Sequence, residues 1–112
     1  MAHDDMHVVV FKILSYLYSC MRKGERPCAR HLRHDGDVLA IPYRYWATVI
    51  KDMLSRGYVE GFVVTESWGG DPMVAIGEPR ITMEGVEFLQ SNSMMARALG
   101  FLRETKSALP FI

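Results

Sequence analysis

The sequence predicts an α+β fold, a winged helix with a two-stranded wing and additional C-terminal helices, and three observations carry that prediction. Two amphipathic runs, one near the N-terminus and one from Pro42 to Arg56, hold apolar residues at helical spacing. A β-branched and aromatic run, Tyr58 to Thr65, follows the second and is answered by a return strand beyond a loop rich in Gly and Pro. Thr82 and the Ser91-Asn92-Ser93 stretch then supply caps for two later helices. Helix, connector, helix, hairpin, helix is the plan of a helix-turn-helix with a wing beside it.

Residues 1–4 precede the pattern and are expected to be disordered. Val10, Ile13, Leu14, Leu17 and Met21 keep helical spacing while Lys12, Ser15, Ser19, Arg22 and Lys23 fall off that face, so 5–23 reads as a first helix. Asp4 or Asp5 can cap its free amides, and Gly24 with Pro27 stops it. The connector Glu25 to Ala40 carries the turn signal Asp35-Gly36-Asp37 and one short helical stretch around Ala29 to Arg33. Pro42, whose missing amide hydrogen has no partner in a first turn, opens a helix with Trp46, Val49, Ile50, Met53 and Leu54 inward, and Gly57 ends it. Tyr58–Thr65 is a strand, with Met73–Ile76 or Arg80–Thr82 as its return and Ser67 to Pro72 as the loop between. Thr82 caps a helix carrying Val86, Phe88 and Leu89, and a last helix runs over 93–107. The stripes on the first helix and on the Pro42 helix are expected to bury each other, with Phe88 and Leu89 joining them. The eight methionines read as core filler.

The 112 residues fit one domain, 1–112, and hydrophobic and charged fractions of 49% and 23% are those of an ordered globular chain. Thirteen basic and thirteen acidic residues cancel, which excludes an overall positive field. The charge is uneven: Lys12 to Arg56 holds nine basic and four acidic residues, net +5, whereas Gly57 to Ile112 holds four and seven, net −3. Cys20 and Cys28 read as reduced thiols of a cytoplasmic protein. The apolar stretch Met6 to Met21 follows two acidic residues and is interrupted by Lys12, which suits neither a leader nor a membrane span.

Two local motifs sharpen the fold. Leu54-Ser55-Arg56-Gly57-Tyr58-Val59 ends a helix on a glycine able to take positive φ and starts a strand, and Ile81-Thr82-Met83-Glu84-Gly85-Val86-Glu87-Phe88-Leu89 caps the helix after the wing. The stretch from Ile41 through Glu60-Gly61, then Ile81-Thr82 to Leu89 and Asn92-Ser93-Met94-Met95, resembles the YjcQ-like family of small winged-helix proteins from bacteria and their phages, over most of the chain. The resemblance implies a fold and a genomic setting, and no site residue is carried over from it. The chain departs from the family pattern at Pro42, where a Ser or Thr cap is more usual, and in its long Glu25 to Ala40 connector.

Arg44, Thr48, Lys51 and Ser55 follow i, i+4, i+7, i+11 and share the polar face of their helix, with Tyr45 in its first turns. Arg and Lys suit guanine edges or phosphates and the hydroxyls suit either, so these five are the candidate base-facing set for double-stranded DNA. The alternative is an ordinary solvated face. Arg22, Lys23, Arg26, Arg30 and Arg33 form the densest basic cluster and are the candidate phosphate-facing set, the alternative being a soluble connector balanced by Glu25, Asp35 and Asp37. The wing opposes DNA: Glu60, Glu66, Asp71 and Glu78 outnumber Arg80. Trp68 at its tip is either an anchor for a protein partner or, the preferred reading, a lid folded on its own hairpin.

No nucleophile with a base, no carboxylate pair, no phosphate loop and no cofactor fingerprint occurs, so an enzyme is not expected. Cys28, His31, His34 and Asp35 lack the convergent spacing of a metal site. A DNA-binding accessory or regulatory protein of a phage or mobile element is the first functional expectation, and a winged-helix protein-interaction module the second. Met94, Met95, Leu99, Phe101 and Leu102, with Leu109, Phe111 and Ile112, suggest a homodimer through the last helix or a helix packed back on the first. No membrane contact and no small-molecule ligand is evident.

Overall fold

In a computed structural model that describes residues 1–105, four α-helices and one antiparallel hairpin share a single core, an arrangement compatible with a winged helix carrying C-terminal helices. Helix α1, Met6–Lys23, starts at Asp5, whose carboxylate accepts from the His7 amide at 2.9 Å, and stops at Gly24, left-handed at φ 70°. Residues 1–4, expected to be disordered, carry defined contacts. The Asp4 carbonyl accepts from the Tyr45 hydroxyl at 2.6 Å, and His3 meets Phe101 edge to face at 5.2 Å.

The connector is irregular except for one 3-10 turn, Ala29–His31. Its path is held by side chains: Tyr16 Oη accepts from the Cys28 amide at 2.6 Å, and Trp46 Nε1 donates to the Leu32 carbonyl at 2.8 Å. Burial pushes the Tyr16 phenol up to about 12. Helix α2, Tyr43–Ser55, begins at Pro42, which supplies no side-chain cap.

Strands β1, Val59–Thr65, and β2, Met73–Ile81, form the hairpin. The two expected return segments are one strand interrupted by a bulge, since Glu60 pairs with Arg80 but Phe62 pairs with Ile76, leaving three β2 residues against Gly61 alone. Gly61 sits at φ 88°, and a Cβ there would lie 1.9 Å from the Glu78 carbonyl oxygen, so only glycine fits. Helix α3, Met83–Ser91, is capped by Thr82, which accepts from the Gly85 amide and donates to the Gly57 carbonyl. Helix α4, Ser93–Glu104, is capped by Asn92.

The core takes Val10, Ile13, Leu14 and Leu17 from α1 and Trp46, Val49, Ile50 and Met53 from α2, as expected. Leu54 is only half-buried, whereas Ala47 is fully buried, so the inward stripe of α2 is rotated slightly from the one read in sequence. Phe88 and Leu89 join as half-buried neighbours. α1 lies more broadly against α4, β2 and α3 than against α2, and Met95, Ala98 and Leu102 of α4 are buried by this packing. The apolar α4 face is thus largely used within the chain; Leu109, Phe111 and Ile112, and the end of the helix expected to reach 107, lie outside the described residues. Met53 and Met95 are buried, but Met1, Met6, Met21, Met73 and Met83 are exposed, so core filling does not account for most of the methionines.

Lys12, read as off the apolar face, is 7% exposed, and its ammonium donates to the Val38 carbonyl at 3.2 Å. Desolvation lowers its pKa below the usual lysine value. A lysine depressed in the folded state favours folding most above its unfolded pKa near 10.5, and this contribution is lost as pH falls through the folded value. Lys12→Met is therefore expected to hold its largest stability advantage over wild type at neutral pH, with the gap closing toward pH 10.5 in urea melts. A gap constant with pH would show that Lys12 is not held charged against its burial.

Candidate nucleic-acid interface

Of the five α2 residues expected to face bases, Arg44, Thr48, Lys51 and Ser55 lie on one exposed side of the helix and half-buried Tyr45 flanks it, with the apolar side spent on the core. The structure gives each a partner from its own chain. Arg44 Nε donates to Asp71 Oδ1 at 2.6 Å, and Lys51 Nζ donates to Glu66 Oε1 at 2.5 Å. Glu66 beside it raises the Lys51 pKa above the usual lysine value. Thr48 and Ser55 turn back to the carbonyls of Arg44 and Asp52, each at 2.9 Å. Tyr45 is half-buried against Asp4, and burial followed by Asp5 and Asp4 raises its phenol pKa. Tyr45 is thereby turned toward the N-terminal segment.

The wing loop is held against α2 by a third element, Tyr43, which the sequence reading left aside. Its hydroxyl donates to the Pro72 carbonyl at 2.8 Å and accepts from the Val74 amide at 3.1 Å. The end of the loop is thus stapled to the first turn of α2, which brings Asp71 to Arg44. Both ion pairs are solvent-exposed, with Arg44 and Lys51 side chains 79% and 58% exposed, so they are weak and screened by salt. The acidic wing therefore does more than oppose a phosphate backbone at a distance: Glu66 and Asp71 stand where two phosphate or base-edge acceptors would stand. Glu60, by contrast, pairs with Arg80 across the hairpin.

The basic connector set is exposed throughout. Arg22 lies 5.7 Å from the Tyr18 ring, and Arg33 reaches Asp35 at 3.9 Å. Lys23, Arg26 and Arg30 have no ion-pair partner among the described residues. Asp37 is drawn to His31 Nδ1 at 2.8 Å, and this hydrogen bond lowers its pKa. An open groove of about 390 Å³ runs between Arg33 and His34 of the connector, Tyr43 of α2 and Val74 and Ile76 of the wing. One end of the basic connector thus meets the start of α2 at the wing.

Trp68 is fully exposed, which corrects the lid reading: its ring covers nothing on the hairpin. With it, Val63, Thr65, Met73 and Ala75 form an exposed hairpin face, Val63 opposite Ala75 and Thr65 opposite Met73, while Phe62, Val64, Val74 and Ile76 face inward. The sequence alternation over Phe62 to Thr65 could not separate these faces, because both carry apolar residues.

No helix among the described residues is long and apolar enough to cross a membrane. A family model described as YjcQ protein matches residues 11–108. No curated protein and no solved structure matches the chain.

Proposed function

The chain belongs to the YjcQ family, and from that premise we propose that it is a cytoplasmic winged-helix protein that binds double-stranded DNA as an accessory or regulatory factor, in a phage or mobile-element setting. The observation that carries this reading is the outward side of α2, where Arg44, Thr48, Lys51 and Ser55 are all exposed, together with an exposed basic connector that meets the start of α2 at Arg33, His34 and Tyr43. Arg44, Thr48, Lys51 and Ser55, with Tyr45 at their flank, would meet base edges, and Arg22, Lys23, Arg26, Arg30 and Arg33 would hold phosphates.

The ion pairs to the wing shape what this binding would look like. Duplex DNA must displace or share Glu66 and Asp71, which lowers affinity without abolishing it, because exposed pairs are individually weak. Five phosphate contacts would give a slope of about −4.5 in log K against log salt. Measured by fluorescence anisotropy on a random duplex, Glu66→Gln with Asp71→Asn should tighten binding by roughly threefold to tenfold and steepen that slope. Equal or weaker binding by the double variant would show that the wing carboxylates do not mask the helix. No salt-sensitive binding near 50 mM salt, by wild type or variant, would remove the DNA reading.

A second reading, a protein-interaction module, rests on the exposed wing face built from Val63, Met73 and Trp68. An exposed tryptophan flanked by apolar side chains suits an anchor for a protein partner. It stands if the duplex titration is flat.

A further inference from the structure

A second concavity lies away from the basic surface, where the first turns of α1, the last turn of α2 and the α3–α4 junction converge. It encloses about 240 Å³. Met53, Tyr58 and Phe88 line it, the two rings stacked at 4.4 Å and 22°, and Met94 adds a flexible thioether wall. Asp52 of the last turn of α2 and Arg56 at its C-cap, four residues on, also line it. Neither has an ion-pair partner among the described residues, not even the other. His7, which also lines it, has Nδ1 3.5 Å from Asp5 Oδ1.

We infer that this cavity is a binding site for a free α-amino acid with a large apolar side chain. Size comes first: the volume falls below the roughly 300–1,000 Å³ of clefts that take drug-sized ligands, which favours a small occupant over a nucleotide. Charge then selects among small apolar molecules. A carboxylate alone would meet Asp52 as well as Arg56, and an amine alone would meet Arg56 as well as Asp52, so each would bring one repulsion with its attraction. A zwitterion places its carboxylate on the Arg56 guanidinium and its ammonium on the Asp52 carboxylate, two side chains that form no salt bridge among the described residues. The side chain then covers the Met53, Tyr58 and Phe88 wall. The site does not depend on DNA binding, though it takes two of its residues from the final turn of α2, so an occupant would bear on the helix whose other face is the candidate DNA surface.

Isothermal titration of the full chain without DNA tests the inference, using L-leucine, L-methionine and L-phenylalanine beside phenethylamine and 3-phenylpropionate, which each lack one charge. At least one amino acid should bind saturably with Kd below about 1 mM, and the two single-charge analogues should bind about tenfold more weakly or not at all. Arg56→Gln and Asp52→Asn, both outside the fully buried core, should each weaken the amino acid about tenfold while thermal unfolding stays that of wild type. The inference fails if none of the three amino acids saturates. It fails equally if 3-phenylpropionate or phenethylamine matches phenylalanine, or if binding survives both substitutions, since the occupied site is then not this one. The analogue series uses only the native protein, so an unfolded variant cannot blur the result.

Discussion

Leu14→Ala should lower the free energy of unfolding by about 2–5 kcal/mol, a large share of the roughly 5–15 kcal/mol that holds a domain together. Leu14 is fully buried at the centre of α1, so its truncation removes transfer free energy and leaves a cavity that α2, α3, α4 and β2 cannot close together. Leu102→Ala, at the far end of the chain on α4, should fall in the same range because Leu102 is 2% exposed in the same core. At about 4 °C for each kcal/mol, either variant should melt roughly 8–20 °C below wild type. Half-buried Leu54 should cost distinctly less. The comparison is most informative when the melts are repeated over a hundredfold range of protein concentration. A Leu102→Ala loss independent of concentration means that α4 belongs to the monomer's core. A loss that shrinks on dilution, as the wild type gives up the extra stability of a dimer, would mean that α4 is stabilised by a second copy instead, as the apolar surplus in the sequence also allowed.

Why so much of this fold was legible in the sequence, and the site less so, follows from the range over which each signal acts. The caps at Asp5, Thr82 and Asn92 and the stop at Gly24 are contacts within a few residues, and each falls where local pattern places it. The bulge at Gly61 was invisible as geometry, but its ingredients were present: Gly77 and Pro79 broke the return strand into the two segments read as alternatives. Lys12 misled because helical spacing describes the faces of α1 and not what covers them. The irregular connector at Val38 lies over the side that period alone assigns to solvent. Arg44 with Asp71 and Lys51 with Glu66 span 27 and 15 residues, and no spacing rule connects positions that far apart. The opposite signs of α2 and the wing were legible as a charge imbalance between the halves of the chain. The acidic residues of the wing read as repulsion of DNA, whereas the fold, through Tyr43, turns Glu66 and Asp71 toward α2 as pairing.

The same pairing sets the terms for the last expected result. If Arg44 reads a base edge while Arg30 holds a phosphate, Arg44→Ala should cost about 1–3 kcal/mol on a preferred duplex and flatten the preference among sequences. Arg30→Ala should weaken all duplexes alike and reduce the salt slope by about one. Arg44→Ala alone, however, also releases Asp71, and an unpaired carboxylate on the wing would weaken binding to any phosphate backbone without a base contact ever having existed. Arg44→Ala with Asp71→Asn separates the two causes. Where the guanidinium makes a base contact, removing the carboxylate cannot replace it, and the double variant stays indifferent to sequence. Where the loss came only from the released charge, the double variant regains wild-type affinity on every duplex, and α2 would then contribute charge to the complex and no readout. Competition binding with a selected duplex and its scrambled counterpart, run on wild type and the three variants at two salt concentrations, distinguishes these outcomes. Full recovery in the double variant would leave the base-reading role of Arg44 without support.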